Sequence, residues 1–257
     1  MNLLALLQDT CREAGISGYQ GITDVTTVTG QQARALEWVQ KAWMEIQRKH
    51  NNWRFMRFTA TFATVQGQWQ YNGGGNESTA TASPLVTANS PALVNGVAPA
   101  MHRLKRDTWR IYDNVAGQAT EVRLSATHDW DTFRELFRFS SVQFQQSRPT
   151  YIAMLPNNDV ALAMVPDNGA GSGYTAYGDF YIRPARFAAP PSSTLNAATP
   201  WMPEEYHELI VWLAVYRYAG FQEATSQYVH AKNMADPIWN AIQNDQLEDA
   251  DDFSPLA

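Results

Sequence analysis

His128, Asp129 and Asp131, grouped around Trp130, are the set of side chains in this sequence closest to an enzyme's tools. An imidazole beside two carboxylates could act as a base with its orienter, or bind a metal. Residues adjacent in sequence point apart, however, and no second motif completes the set. Asp129 or Asp131 reads better as the cap of a short helix. Glu204, Glu205, His207 and Glu208 lack the His-Glu-x-x-His spacing of a zinc-binding helix and read as a solvated first turn. Gly73-Gly74-Gly75 follows an alternating stretch but lacks the lysine and hydroxyl of a phosphate loop and opens no helix. The densest basic run is His102, Arg103, Lys105 and Arg106, followed by Trp109 and Arg110. Arg103, Lys105 and Arg106 are candidates for contact with DNA phosphates; the competing reading is a solvated strand edge whose charge discourages pairing. No catalytic residue, metal ligand or cofactor is expected.

Composition narrows the classes further. The chain of 257 residues is 45% hydrophobic and only 17% charged, so it folds around a sizeable core beneath a lightly charged surface. Its 9 Trp, 11 Tyr and 11 Phe suit either a β-rich core or extensive subunit contact. The net charge is −6, and Asp245, Glu248, Asp249, Asp251 and Asp252 supply most of it, leaving a nearly neutral body. A dedicated nucleic-acid reader would carry a basic face instead. Cys11 is the only cysteine, which excludes an intrachain disulfide and a cysteine-based zinc site. The first residues lack a basic leader, and their apolar run stops at Gln8, too short for a signal core or a membrane span. A soluble protein made in a reducing cytoplasm is expected.

The elements that would position such residues follow from periodicity. Leu3, Leu4, Leu6 and Leu7 lie on one helical face, with Gly15 as a stop. Thr29 and Gln32 have capping-box spacing, predicting a helix from there to about His50 with Leu36, Val39, Trp43 and Ile46 as its stripe. Asn51 and Asn52 tolerate left-handed angles and are expected to turn the chain out of that helix. From Phe55 the period changes from 3.6 to 2, with Phe58, Ala60 and Phe62 on one side, which is strand patterning. The glycine-, serine- and threonine-rich segment 72–96 reads as a long loop. Strands resume over 109–115 and 120–124, a short helix follows His128, and two strands flank the turn Pro156 to Asp159. A last strand is ended by Pro184. Residues 188–200 read as a linker. A helix beginning near Glu204 and another over about 222–247, interrupted by Pro237, precede the acidic end.

This order predicts an α+β fold in which N- and C-terminal helices form a helical bundle and an antiparallel β-rich block is inserted and projects from it. The expected boundaries are 1–54 and 201–247 for the bundle, 55–187 for the β-rich domain, 188–200 for the linker and 248–257 for the tail. Trp43, Trp53 and Phe55 sit where helix gives way to strand and are expected to form the joint.

Three stretches carry a resemblance. Trp43, Glu45, Ile46 and Gln47, then Trp53 and Phe55 after a polar break, resemble tailed-bacteriophage head-to-tail adaptor (connector) proteins, including the tail tubular protein A group. The hairpin over 147–166 with its Arg148-Pro149 pair, and the last strand followed by residues 201–220, are similar to the same family. The resemblance implies a non-enzymatic ring, a dodecamer, in the neck of the virion. Its helical part would face the portal protein and its β part the next neck or tail protein, with DNA passing through the lumen and no membrane involved. By the same analogy the C-terminal segment docks into the portal, with Leu247, Phe253 and Leu256 as apolar anchors; a solubilising terminus is the competing reading. A carbohydrate- or receptor-binding β module of a virion, and a virion-associated hydrolase built on His128 and Asp131, are the alternative functions.

Overall fold

The computed structural model describes residues 1–73, 101–127, 130–138, 146–169, 171–188 and 194–247. His128, Asp129, Gly74, Gly75, Phe253 and Leu256, and most of the predicted loop 72–96, lie outside the described residues. The chain is α+β, with helices at both ends of the order and strands between them. It divides into a helical unit, from Met1–Met56 and the described residues from Pro184 onward, and a β unit within 57–183.

In the helical unit, α1 (Leu3–Glu13) is capped by the Asn2 side chain, which accepts from the Ala5 N–H at 2.9 Å, and buries Leu3, Leu6, Leu7 and Cys11. Burial pushes the Cys11 thiol up to about 11, so it behaves as a small apolar group. Helix α2 (Gly30–Lys49) buries the predicted Val39, Trp43 and Ile46. Its start departs from the expected capping box. Gly30 takes a left-handed φ of 59°, the Thr29 side chain makes no capping hydrogen bond, and Gln32 Nε2 donates to Ser17 O at 3.3 Å. Helix α4 (His207–Phe221), entered through the tight turn Glu204–Tyr206, packs against α1, α2 and α5 (Thr225–Gln246). A helix with neighbours on three sides must be apolar around most of its girth, and Leu209, Ile210, Ala214, Val215 and Tyr218 are all buried. Helix α5 runs through Pro237 and buries only Ala231, Ala235 and Ile242. Part of the predicted linker, residues 194–200, packs on this unit: Ala198 is buried, its carbonyl accepts from Leu3 N at 2.7 Å, and Asn196 Oδ1 accepts from Val25 N at 2.8 Å.

The β unit contains two sheets. In the first, β9 (Tyr174–Ile182) is central. It pairs with β1 (Arg57–Ala63) along one edge and with β4 (Arg110–Asp113) and β3 (Met101–Leu104) in succession along the other, and β5 (Gly117–Arg123) completes the sheet beside β4. Phe58, Ala60 and Phe62 of β1 are buried, as the alternation predicts. The second sheet runs β2 (Gln70–Tyr71), β8 (Val160–Ala163), β7 (Tyr151–Met154), β6 (Ser125–Thr127). Its β6–β7 pair is parallel, which requires a crossover, and the short helix α3 (Trp130–Phe133) with the wider turn Arg134–Arg138 lies in that connection.

Gly178 of β9 lies opposite the gap between β4 and β3. A Cβ there would stand 2.4 Å from Trp109 Cδ2 and 2.9 Å from Trp109 Cα. The missing side chain lets the fully buried Trp109 lie on the strand, its Nε1 donating to Asp179 O at 3.0 Å. Gly178→Ala should therefore force Trp109 off its bond and lower stability by about 1–3 kcal/mol. Urea unfolding measures this, and a loss below about 0.5 kcal/mol would contradict the packing.

Candidate functional site

Helix α2 ends without the left-handed turn expected at Asn51 and Asn52. His50 is extended at φ −136° and ψ 144°, and neither asparagine takes a positive φ. The last four carbonyls of a helix have no intrahelical partner, and Ile46 O is one of them. The Trp53 indole folds back and donates Nε1–H to it at 2.8 Å, so a side chain three residues past the cap replaces the missing turn. Trp53 is wholly buried. Phe55 stacks on it at 5.3 Å and on Trp43 at 6.1 Å. Trp43 in turn stacks on Phe187 at 5.7 Å and meets Trp201 edge-on at 5.2 Å. On the other flank His50 and Trp239 stand edge-on to Trp53, and Trp53 forms a β-bridge with Leu247 immediately after α5. The three predicted joint residues thus form one continuous aromatic stack whose partners all belong to the helical unit. The buried indole N–H groups of Trp43 and Trp201 have no hydrogen-bonding acceptor among the described residues.

The sequence-predicted polar sites fare differently. His207 is buried, with its Nε2 2.9 Å from Met202 O; its Nδ1 and the Glu204 carboxylate both meet the Met1 ammonium, at 2.7 and 2.9 Å, whereas Glu205 and Glu208 are exposed and take no part. Asp131 is exposed and pairs with Arg134 at 3.3 Å, one helical turn on. Among the described residues no three His, Cys, Asp or Glu side chains are placed to hold a metal. Gly73 serves packing: a Cβ would sit 1.8 Å from Asn158 O. In the basic run, Arg103 lies over the Tyr181 ring at 4.9 Å, Lys105 N donates to Asp179 O at 2.9 Å, and Arg106 is exposed. Nearby, Asp107 pairs with Arg123, and Arg110 with Glu121 at 3.4 Å. With Trp109 buried, that run has no aromatic platform from this residue.

Several residues with structural or electrostatic roles escape a sequence reading. Asp159, expected as one letter of a turn, is fully buried and accepts from Gln70 Nε2 at 2.8 Å, Asn157 Nδ2 at 2.9 Å and Gly73 N at 3.2 Å. Arg148 donates to the carbonyls of Ile111 at 2.6 Å and of Thr120, tying β4 and β5 to the segment before β7. In the helical unit a cavity of about 520 Å³ is lined by Lys41, Glu45, Arg48, Lys49, Arg186 and Arg217 around Met44. Helical spacing within α2 could have suggested its first four charges, but Arg186 and Arg217 are brought to it only by the fold.

The SU10 adaptor protein family model matches residues 1–256, and the chain belongs to that family. It is a family of phage adaptors, structural proteins that interact with other phage head and tail proteins. No curated protein sequence matches the chain. No helix among the described residues is long and apolar enough to cross a membrane.

Two predictions follow from the stack. Trp53→Ala removes a buried indole and re-exposes the Ile46 carbonyl, and should cost about 3–5 kcal/mol of unfolding free energy in urea; a loss under about 1 kcal/mol would mean the stack does not hold α2 to α5. Desolvation, then the nearby Lys49, lowers the His50 pKa from 6.5, and burial lowers that of His207. Gln243 Nε2, 2.8 Å away, can donate to His50 Nε2 only while that nitrogen is unprotonated. Because the unfolded chain binds these protons more readily, the stability contribution is complete above the ordinary histidine value and falls as pH drops through it. Unfolding free energy should decrease between about pH 7.5 and about pH 5.5, less steeply in His50→Gln; equal slopes would remove His50 from the account.

Proposed function

We propose that the chain is a head-to-tail adaptor of a tailed bacteriophage, forming a ring, a dodecamer, between the portal protein and the next neck or tail component, with DNA passing through its lumen. In this reading it sits in the neck of the virion after synthesis in the host cytoplasm, is related to the tail tubular protein A group, and acts through contact alone. The observation that carries the proposal is the family match over 256 of 257 residues, which embraces both units. The helical unit faces the portal and the β unit faces downstream. Leu247, Phe253 and Leu256 supply the apolar part of a docking tail. The bridge between Leu247 and Trp53 supports that assignment, because it sets where the tail leaves the helical unit. Trp43, Trp53 and Phe55 are the helix-to-β joint of this reading, which their place along the chain, from within α2 to just before β1, supports. Arg103, Lys105 and Arg106 remain the candidates for passing contact with DNA.

The test mixes purified protein with isolated portal rings and images the product by electron microscopy. A ring of added density on the portal is expected, and no association at any ratio would overturn the proposal. A chain ending at Leu247 should bind the portal at least about tenfold more weakly while its melting temperature stays within about 2 °C, since residues 1–247 carry the whole of the described core. Equal binding by that chain would remove the docking tail but leave the adaptor role standing.

A further inference from the structure

The basic cleft on α2 has no role in the packing described so far. It gathers five cations in a chain whose net charge is −6. Lys41 is paired with Glu37 at 2.7 Å, and Arg217 with Glu45. Arg48, Lys49 and Arg186 are exposed and form no ion pair among the described residues. Glu37 offsets Arg186 only at longer range, and three cations without an ion pair repel one another, so an anionic partner would relieve that repulsion. Met44 in the cleft gives such a partner an apolar patch to lie on.

We propose that this cleft is a binding site for an acidic peptide and that its occupant is the acidic segment 248–252 of the same chain. Complementarity is the first argument: Glu248, Asp249, Asp251 and Asp252 place four carboxylates within five residues, against three cations that form no ion pair among the described residues and two that are already paired. Geometry is the second. Trp53 holds Leu247 by a β-bridge and donates to Ile46 O, so the chain leaves the described residues beside the last turns of α2, where Glu45, Arg48 and Lys49 line the cleft. From Lys49 back to Lys41 is about 12 Å along the helix axis. Five extended residues span about 17 Å, longer than that stretch of helix. A polyphosphate is the poorer fit, because the exposed Glu45 stands in the wall and Glu37 flanks Lys41. Seating 248–252 leaves Phe253 and Leu256 beyond the cleft. The inference is independent of portal binding.

The test is zero-length carbodiimide cross-linking of the full chain at low salt, using a mixture of unlabelled and ¹⁵N-labelled protein read by mass spectrometry. The amide between Lys41 and Glu37, already in contact, is the internal control for the chemistry. Links from Lys41 or Lys49 to carboxylates of 248–252 are expected, each within a single isotope. Their yield should fall at least about fivefold in Arg48→Glu/Arg186→Glu and in 1 M salt, where the screening length shrinks to about 3 Å. Three results overturn the proposal. The control link may form without any tail link, the links may join the two isotopes and so assign the tail to a second copy, or the double variant may lose no yield. A short DNA duplex that binds the wild type but not the double variant, with no tail link formed, would assign the cleft to phosphate instead. Portal imaging is a separate measurement, so failure here does not touch the adaptor reading.

Discussion

The bond from the Trp53 indole to the Ile46 carbonyl is the constraint on which the helical unit depends. A helix that stops without a left-handed cap leaves carbonyls facing an apolar interior, and each unpaired one would cost on the order of 1–3 kcal/mol. Here the donor that pairs one of them is also one of the two wholly buried indoles of the stack. One side chain therefore settles a polar debt of α2, packs against Phe55 and His50, and fixes the residue after α5 through a β-bridge. Because these contacts share one ring, they form or fail together. That cooperativity suits a protein whose proposed task is to present surfaces to partners.

The β unit solves the same problem with buried polar groups. Asp159 gathers three donors from a turn, a two-residue strand and a glycine, which orders a sheet whose strands are too short to be held by their ladders alone. Residue 179 is the counterpart in the other sheet. Its carbonyl accepts from Trp109 and from Lys105, while its carboxylate accepts from Thr59 at 2.8 Å and pairs with Arg57. Gly178 next to it removes the Cβ that would keep Trp109 away. Such networks specify one arrangement of short strands, because any slip of register would leave a buried charge or indole N–H unpaired.

Charge in this protein is segregated along the chain. A nearly neutral body conceals a cluster of cations on α2, Arg186 and Arg217, while carboxylates are concentrated after Asp245. Bulk composition argues against a dedicated nucleic-acid reader but is blind to local excess, since opposite clusters cancel in the sum.

Periodicity alone places α1, α2 and β1 and names most of their buried residues, Leu4 and Leu36 staying half-buried, because a 3.6 or 2.0 repeat of apolar residues is a local property of the chain. Trp43 in the core is legible for the same reason, while the family resemblance rests on particular residues, among them Trp43, Trp53 and the Arg148-Pro149 pair. Tertiary structure decided what local pattern cannot carry. Thr29 and Gln32 have capping-box spacing, yet the left-handed Gly30 and the reach of Gln32 to Ser17 replace the box. Asn51 and Asn52 favour a left-handed turn by residue type, but a buried indole supplies the cap and the chain leaves extended. Asp159, Arg148 and the cleft joining Arg186 to Arg217 depend on partners brought together from distant parts of the sequence. Hydrophobic pattern is written residue by residue, whereas the pairing of polar and charged groups exists only after the chain has closed on itself, and that is where the sequence by itself falls silent.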